Sequence, residues 1–170
     1  TNGYAAPEVE RAFGRARELC LQTGDWKQVA PALLGLVHYH AMRAEHQTAR
    51  ELSEQLFSIA QQSQNRDLLI QAHYTQGNTL TWTGGYRAAL GYLEQGIALY
   101  DPRQDRSHGF LYGNDPGVAC RVHAMQVLWL LGYPDQAPAR ARAGLELFTR
   151  GPSPANSMGY GAIGTAQIHQ

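Results

Sequence analysis

Small and apolar residues return along this chain at an interval of 40 residues that lengthens once to 48. Val9, Phe13 and Ala16 are followed 40 residues on by Ala49, Ser53 and Leu56, another 40 on by Ala89, Leu93 and Gly96, and 48 after that by Ala137, Ala141 and Gly144. The members of each set are spaced as residues on one face of a helix are. A period of this length marks an array whose units bury their apolar faces only against one another, which narrows the fold more than any single motif does. Ahead of each of the last three sets lies a second helix-length segment that ends in a short turn: Leu33 to Ala44, His73 to Gly84 and Arg121 to Gly132. Each unit therefore reads as two antiparallel helices. Ala49, Ala89 and Ala137 let the second helix approach the first, and Gly77 does the same from the first helix.

The turn residues fit the same division. Gly84-Gly85 and Gly132 stand where a first helix should end in a left-handed cap, Ala44 takes that place in the earlier unit, and Pro134 opens the helix after Gly132. Tyr100-Asp101-Pro102 closes a second helix, because the residue before proline is pushed out of helical dihedrals. Asp25 and Asp115 are expected N-caps, the second with Pro116 at the first helical position. Capping and periodicity together predict an all-α chain of about eight helices and no sheet, near 7–22, 26–43, 46–64, 67–83, 86–100, 116–131, 134–149 and 155–169. The chain is expected to be one domain. Its units are a half repeat at 1–24, whole repeats at 25–65, 66–102 and 116–150, and a second half repeat at 153–170. The last helix is the weakest, since Gly159, Gly161 and Gly164 each cost about 1 kcal/mol relative to Ala. The segment 103–115, with Arg103, Arg106, His108, Phe110 and Tyr112, interrupts the period. It reads either as a connecting loop or as a recognition element.

On these residues the chain resembles the tetratricopeptide repeat family, whose pattern has Gly or Ala at the eighth position, Gly near the fifteenth, Ala at the twentieth and Pro near the end. Gly77, Gly84, Ala89 and Pro102 match it in the clearest repeat, Ala44 and Ala49 in the one before, and Gly132 and Ala137 in the one after. Two features depart from the pattern. Leu33, His73 and Arg121 replace the large aromatic of the fourth position, and the 40-residue spacing exceeds the family's 34. The strings from Gly3 to Cys20, Thr48 to Leu56, Leu93 to Pro102, Tyr112 to Cys120 and Leu128 to Ala137 are similar to the C-terminal repeat region of large bacterial signalling ATPases. Those proteins often carry an adenylate or guanylate cyclase or a kinase domain. The resemblance implies an α-α superhelix that serves as scaffold, with no Walker sequence and no cyclase aspartates carried over. The chain begins without Met and straight into a helical pattern, so it reads as a piece of a larger multidomain protein.

Composition narrows the function. Lys+Arg and Asp+Glu are both 14, which leaves no long-range field to draw in nucleic acid or an anionic membrane. The longest apolar runs, such as Val127 to Leu131, fall far short of the roughly 20 residues that span a bilayer, and no basic n-region opens a signal peptide. A cytoplasmic location is expected. Cys20 and Cys120 lie in helical apolar patterns without a ligand set and read as small buried hydrophobes. His38 and His40 fall on different sides of one helix and have no third ligand at helical spacing, so no metal site is expected. No nucleophile elbow or Gly-rich phosphate loop occurs. The paired carboxylates read as solvated faces with intrahelical partners, Glu8 with Arg11 and Arg50 with Glu54. The expected function is therefore non-catalytic, without a cofactor: a scaffold for a protein or peptide ligand, or for another domain of the parent protein. Homodimerisation through an exposed terminal repeat is possible on this reading, and a sensor binding a small effector is the alternative. Family geometry projects His38, Met42, Tyr74, Asn78, Trp82, Val122, Gln126 and Trp129 toward a shared groove, where aromatics supply contact area and amides read backbone groups.

Overall fold

The computed structural model of the chain describes residues 6–23, 26–103 and 115–150, with side chains omitted at 20–21, 23, 26–28 and 148–150. Among these residues there are seven helices and no strand: α1 (Pro7–Thr23), α2 (Trp26–Met42), α3 (His46–Ser63), α4 (Arg66–Trp82), α5 (Tyr86–Leu99), α6 (Pro116–Leu130) and α7 (Ala137–Arg150). The eighth predicted helix, the 104–114 part of the interrupting segment and the Asp25 cap lie outside the described residues. Each helix packs on the next in chain order, and α4 also touches both α2 and α6. That is the packing of a helical solenoid, with α2, α4 and α6 forming one row and α1, α3, α5 and α7 the other. The second row is tied along its length. Arg17 donates to Gln55 at 2.7 Å between α1 and α3, Phe57 and Tyr92 meet edge to face at 5.4 Å between α3 and α5, and Arg140 pairs with Glu94 at 2.7 Å between α7 and α5.

The repeated small residues do what their spacing predicts. Ala49, Ala89 and Ala137 are 1%, 0% and 2% exposed, and Ser53, Leu56, Leu93, Gly96, Ala141 and Gly144 are buried below them on the same faces. At Gly77 an added Cβ would stand 2.5 Å from Leu93 Cγ and 3.3 Å from the Ala89 carbonyl, so α4 and α5 approach at a distance that only glycine allows. In α1, Val9, Phe13 and Ala16 are partly exposed, and the Phe13 ring fills the space that a Cβ on Gly35 would need.

The three first-row helices end alike. The N–H groups of Glu45, Gly85 and Tyr133 donate to the carbonyls of His40, Leu80 and Leu128, all at 2.9 Å, around residues in left-handed backbone: Ala44 at φ 60°, Gly84 at 82° and Gly132 at 83°. α5 ends at Leu99 with Tyr100 extended. Asp115 caps α6 as expected. Its Oδ1 accepts from the Gly117 and Val118 N–H groups at 2.8 and 3.2 Å, and its Oδ2 accepts from the Tyr100 hydroxyl at 2.9 Å. The sequence pattern did not mark Asn65, whose side chain caps α4 through the Leu68 N–H at 3.1 Å. The last hairpin also departs from expectation. α7 starts at Ala137 and not at Pro134, because the chain after Gly132 makes one more turn, closed by Gln136 N–H to Tyr133 O at 3.1 Å.

Cys120 is wholly buried against Gly96, and burial pushes its thiol pKa far up, so it is inert packing. The side chain of Cys20 lies outside the described residues. The surface ion pairs predicted from spacing are present, Arg11 with Glu8 at 3.3 Å and Arg50 with Glu54 at 2.9 Å. No helix among the described residues is long and apolar enough to cross a membrane.

Candidate functional site

Large apolar side chains belong in the core of a helical stack, yet the first-row helices carry them outside it at their C-terminal ends. Met42, Trp82 and Leu130 are the last residues of α2, α4 and α6 and occupy one repeat position, 40 and 48 residues apart. They are 71%, 61% and 54% exposed, and Trp129, beside Leu130, is 61% exposed. The left-handed turns after these residues swing the chain into the next helix and leave the helix ends facing outward as a ridge. Between the ends of α4 and α6 the ridge opens into a cleft of about 370 Å³, lined by Thr81, Trp82, Tyr86, Gln126, Trp129 and Leu130. Tyr86, the first residue of α5, also walls a second hollow of about 390 Å³ over the Gly84-Gly85 turn, with Arg87, Ala88 and Leu131.

None of the six residues lining the first cleft is charged. The Thr81 hydroxyl is turned back onto its own helix, donating to the Gly77 carbonyl at 2.7 Å. An ion cluster stands at the first corner. There Glu45 accepts from Arg43 at 2.8 Å and meets His40 at 2.6 Å, and these contacts, Arg43 first, hold its carboxyl below the usual range. In the next two units the residues equivalent to His40, Arg43 and Glu45 are Leu80, Thr83 and Gly85, then Leu128, Leu131 and Tyr133. The ion cluster of the first corner is thus not repeated at the equivalent positions of the next two, although Arg87 stands beside Tyr86 over the second turn.

Of the eight residues projected toward a groove, Met42, Trp82 and Trp129 are exposed, and His38, Asn78 and Gln126 are partly so. Two projections need correction. Tyr74 is 0% and Val122 2% exposed, because mid-helix α4 is enclosed by α2, α3, α5 and α6 while Val122 packs in the cluster that α6 shares with α7. Tyr74 is a structural group. Its hydroxyl accepts from Asn78 Nδ2 at 3.1 Å, and its ring lies 5.7 Å from that of His123. Burial lowers the pKa of His38 to about 4 and that of His123 to about 4. Sequence reasoning missed Leu130 and Tyr86. The 40- and 48-residue offsets from Met42 and Trp82 lead straight to Leu130, while nothing in the pattern marked Tyr86.

Among the described residues no three His, Cys, Asp or Glu side chains gather into a metal-binding set. No family model matches the chain, and no curated protein matches it. The architecture and the exposed ridge are therefore what define the molecule.

Proposed function

We propose that the chain is a docking scaffold of the tetratricopeptide kind, which holds a protein or peptide ligand against the ends of its first-row helices and performs no catalysis itself. The observation that carries this reading is the exposure of Met42, Trp82 and Leu130 at one repeated position, with Trp129 beside them. Water-facing aromatics of this size add nothing to the core. Collected on one edge they match the aromatic anchors from which binding surfaces draw most of their energy. The resemblance noted in the sequence extends the proposal: the scaffold would serve a bacterial signalling ATPase or cyclase-type regulator, in the cytoplasm, with another domain of the parent protein as one possible ligand. A small-effector sensor is the weaker reading, because the cleft stands open between half-exposed tryptophans and lacks the converging polar groups of an enclosed site.

Panning a random peptide display library against the chain tests the proposal. Selected peptides should lose binding to Trp82→Ala and Trp129→Ala variants whose far-UV circular dichroism matches the parent. Peptides that bind both variants unchanged, or a library that yields none, would overturn it.

A further inference from the structure

We infer that Met42 is a site of reversible oxidation by hydroperoxides, and that its sulfoxide switches the first unit's end of the ridge from apolar to polar. The inference goes beyond the docking reading, since the chemistry needs no ligand. Of the side chains that form the ridge, Met42, Trp82, Trp129 and Leu130, only Met42 carries sulfur. It is 71% exposed at the end of α2, and among the described residues it joins none of the apolar clusters of the core. An oxidant therefore reaches the thioether without any opening of the fold.

The other sulfur atoms of the described side chains are shielded. Met125 is 3% exposed, in the cluster that α6 shares with α7. Cys120 is wholly buried, and burial keeps its thiol protonated. A thiol reacts with a hydroperoxide as the thiolate, which Cys120 does not supply.

The step balances without further reagents. The Met42 sulfur attacks the outer oxygen of R–OOH, the S–O bond forms as the O–O bond breaks, and the proton passes to the departing oxygen, which leaves as R–OH. Sulfur loses two electrons and the peroxide gains them. A thiol-dependent sulfoxide reductase reverses the change, two thiols becoming a disulfide while the oxygen leaves as water. The consequence depends on place. At Met42 the new oxygen meets water and the helices keep their packing, while a sulfoxide at Met125 would bury an unpaired acceptor. Oxidised Met42 would join the polar corner of His40, Arg43 and Glu45 and shorten the apolar ridge to Trp82, Trp129 and Leu130.

Graded treatment of the whole chain with hydrogen peroxide, read by peptide mass mapping, tests the inference. The Met42 peptide should gain one oxygen at about the rate of free methionine, and the Met125 peptide about tenfold more slowly. Far-UV circular dichroism should stay unchanged while retention on a phenyl hydrophobic-interaction column falls. Met42→Leu, treated in the same way, should keep its retention. The two epimer-specific methionine sulfoxide reductases with dithiothreitol should restore that of the parent. A Met42 peptide that resists peroxide, or equal oxidation of Met42 and Met125, would overturn the modification site. Unchanged retention of the oxidised parent, a loss that persists in Met42→Leu, or a loss of helicity would overturn the switch. The docking reading stands or falls separately, on the tryptophan variants.

Discussion

The middle of α4 and its last turn reverse the usual placement of side chains. Residues 70–77 are buried without a break and include Gln71, His73, Thr75 and Gln76, with Thr79 buried just beyond, whereas Trp82 at the end of the same helix is 61% exposed. Position along the helix, and not polarity, decides burial here, in a helix that packs against α2, α3, α5 and α6. The buried threonines of this middle turn their hydroxyls back onto the helix. Thr75 donates to the Gln71 carbonyl at 2.8 Å, Thr79 to that of Thr75 at 3.0 Å, and Ser53 of α3 bonds the Thr79 hydroxyl at 3.1 Å. The apolar end has no such internal account, and its exposed surface is what points to a ligand.

The largest expected effect lies in the polar interior. His123 is held near 4 by burial, and burial lowers His73 as well. An unfolded histidine protonates near 6.5, so between about 6.5 and 4 the unfolded chain binds more protons than the folded one. Stability must therefore fall as pH drops through that window, by up to about 1.4 kcal/mol per pH unit for each such group. Urea unfolding of His123→Phe at several pH values should show a shallower slope than the parent. An unchanged slope would mean that His123 is not held neutral by its surroundings, and the contrast between interior and end would lose its electrostatic half.

A smaller loss is expected where the interior demands shape. Ala89 is fully buried, and its carbonyl lies beside the Gly77 position. Ala89→Leu should overpack α4 against α5 and cost about 1–3 kcal/mol in chemical denaturation. The same residue on the ridge would meet only solvent, so a neutral Ala89→Leu would erase the distinction between the two regions.

The parts of this arrangement written in local chemistry were legible in the sequence. Ala49, Ala89 and Ala137 announce close packing by their size, and Gly84, Gly132 and Asp115 announce helix ends by their backbone and capping chemistry, so six of the seven helices start within one residue of expectation. Side-chain direction was not legible to the same degree. Tyr74 shares a helix face with Asn78, but whether that face meets water depends on how tightly α2 and α6 close on α4, which no residue of α4 encodes. Val122 went astray for the same reason. Leu130 was available from the period and was masked by Trp129, the more conspicuous aromatic next to it.

The smallest effects should appear at the boundary between the two regions, where left-handed turns carry the chain out of the first row. Ala44 and Gly84 make the same turn with the same 2.9 Å hydrogen bond, but Ala44 holds a φ of 60° with a Cβ that the left-handed region disfavours. An added Cβ at Gly84 would meet nothing within 4 Å, so Gly84→Ala tests the backbone term alone and should cost about 1 kcal/mol. Ala44→Gly should do the reverse and stabilise by about 0.5 kcal/mol, less than the full strain because glycine also gains freedom in the unfolded chain. Paired urea titrations of the two variants read both signs directly. If both substitutions destabilise, the turns are set by contacts that differ between the units, and the exposed ends of α2 and α4 are not equivalent positions of one ridge.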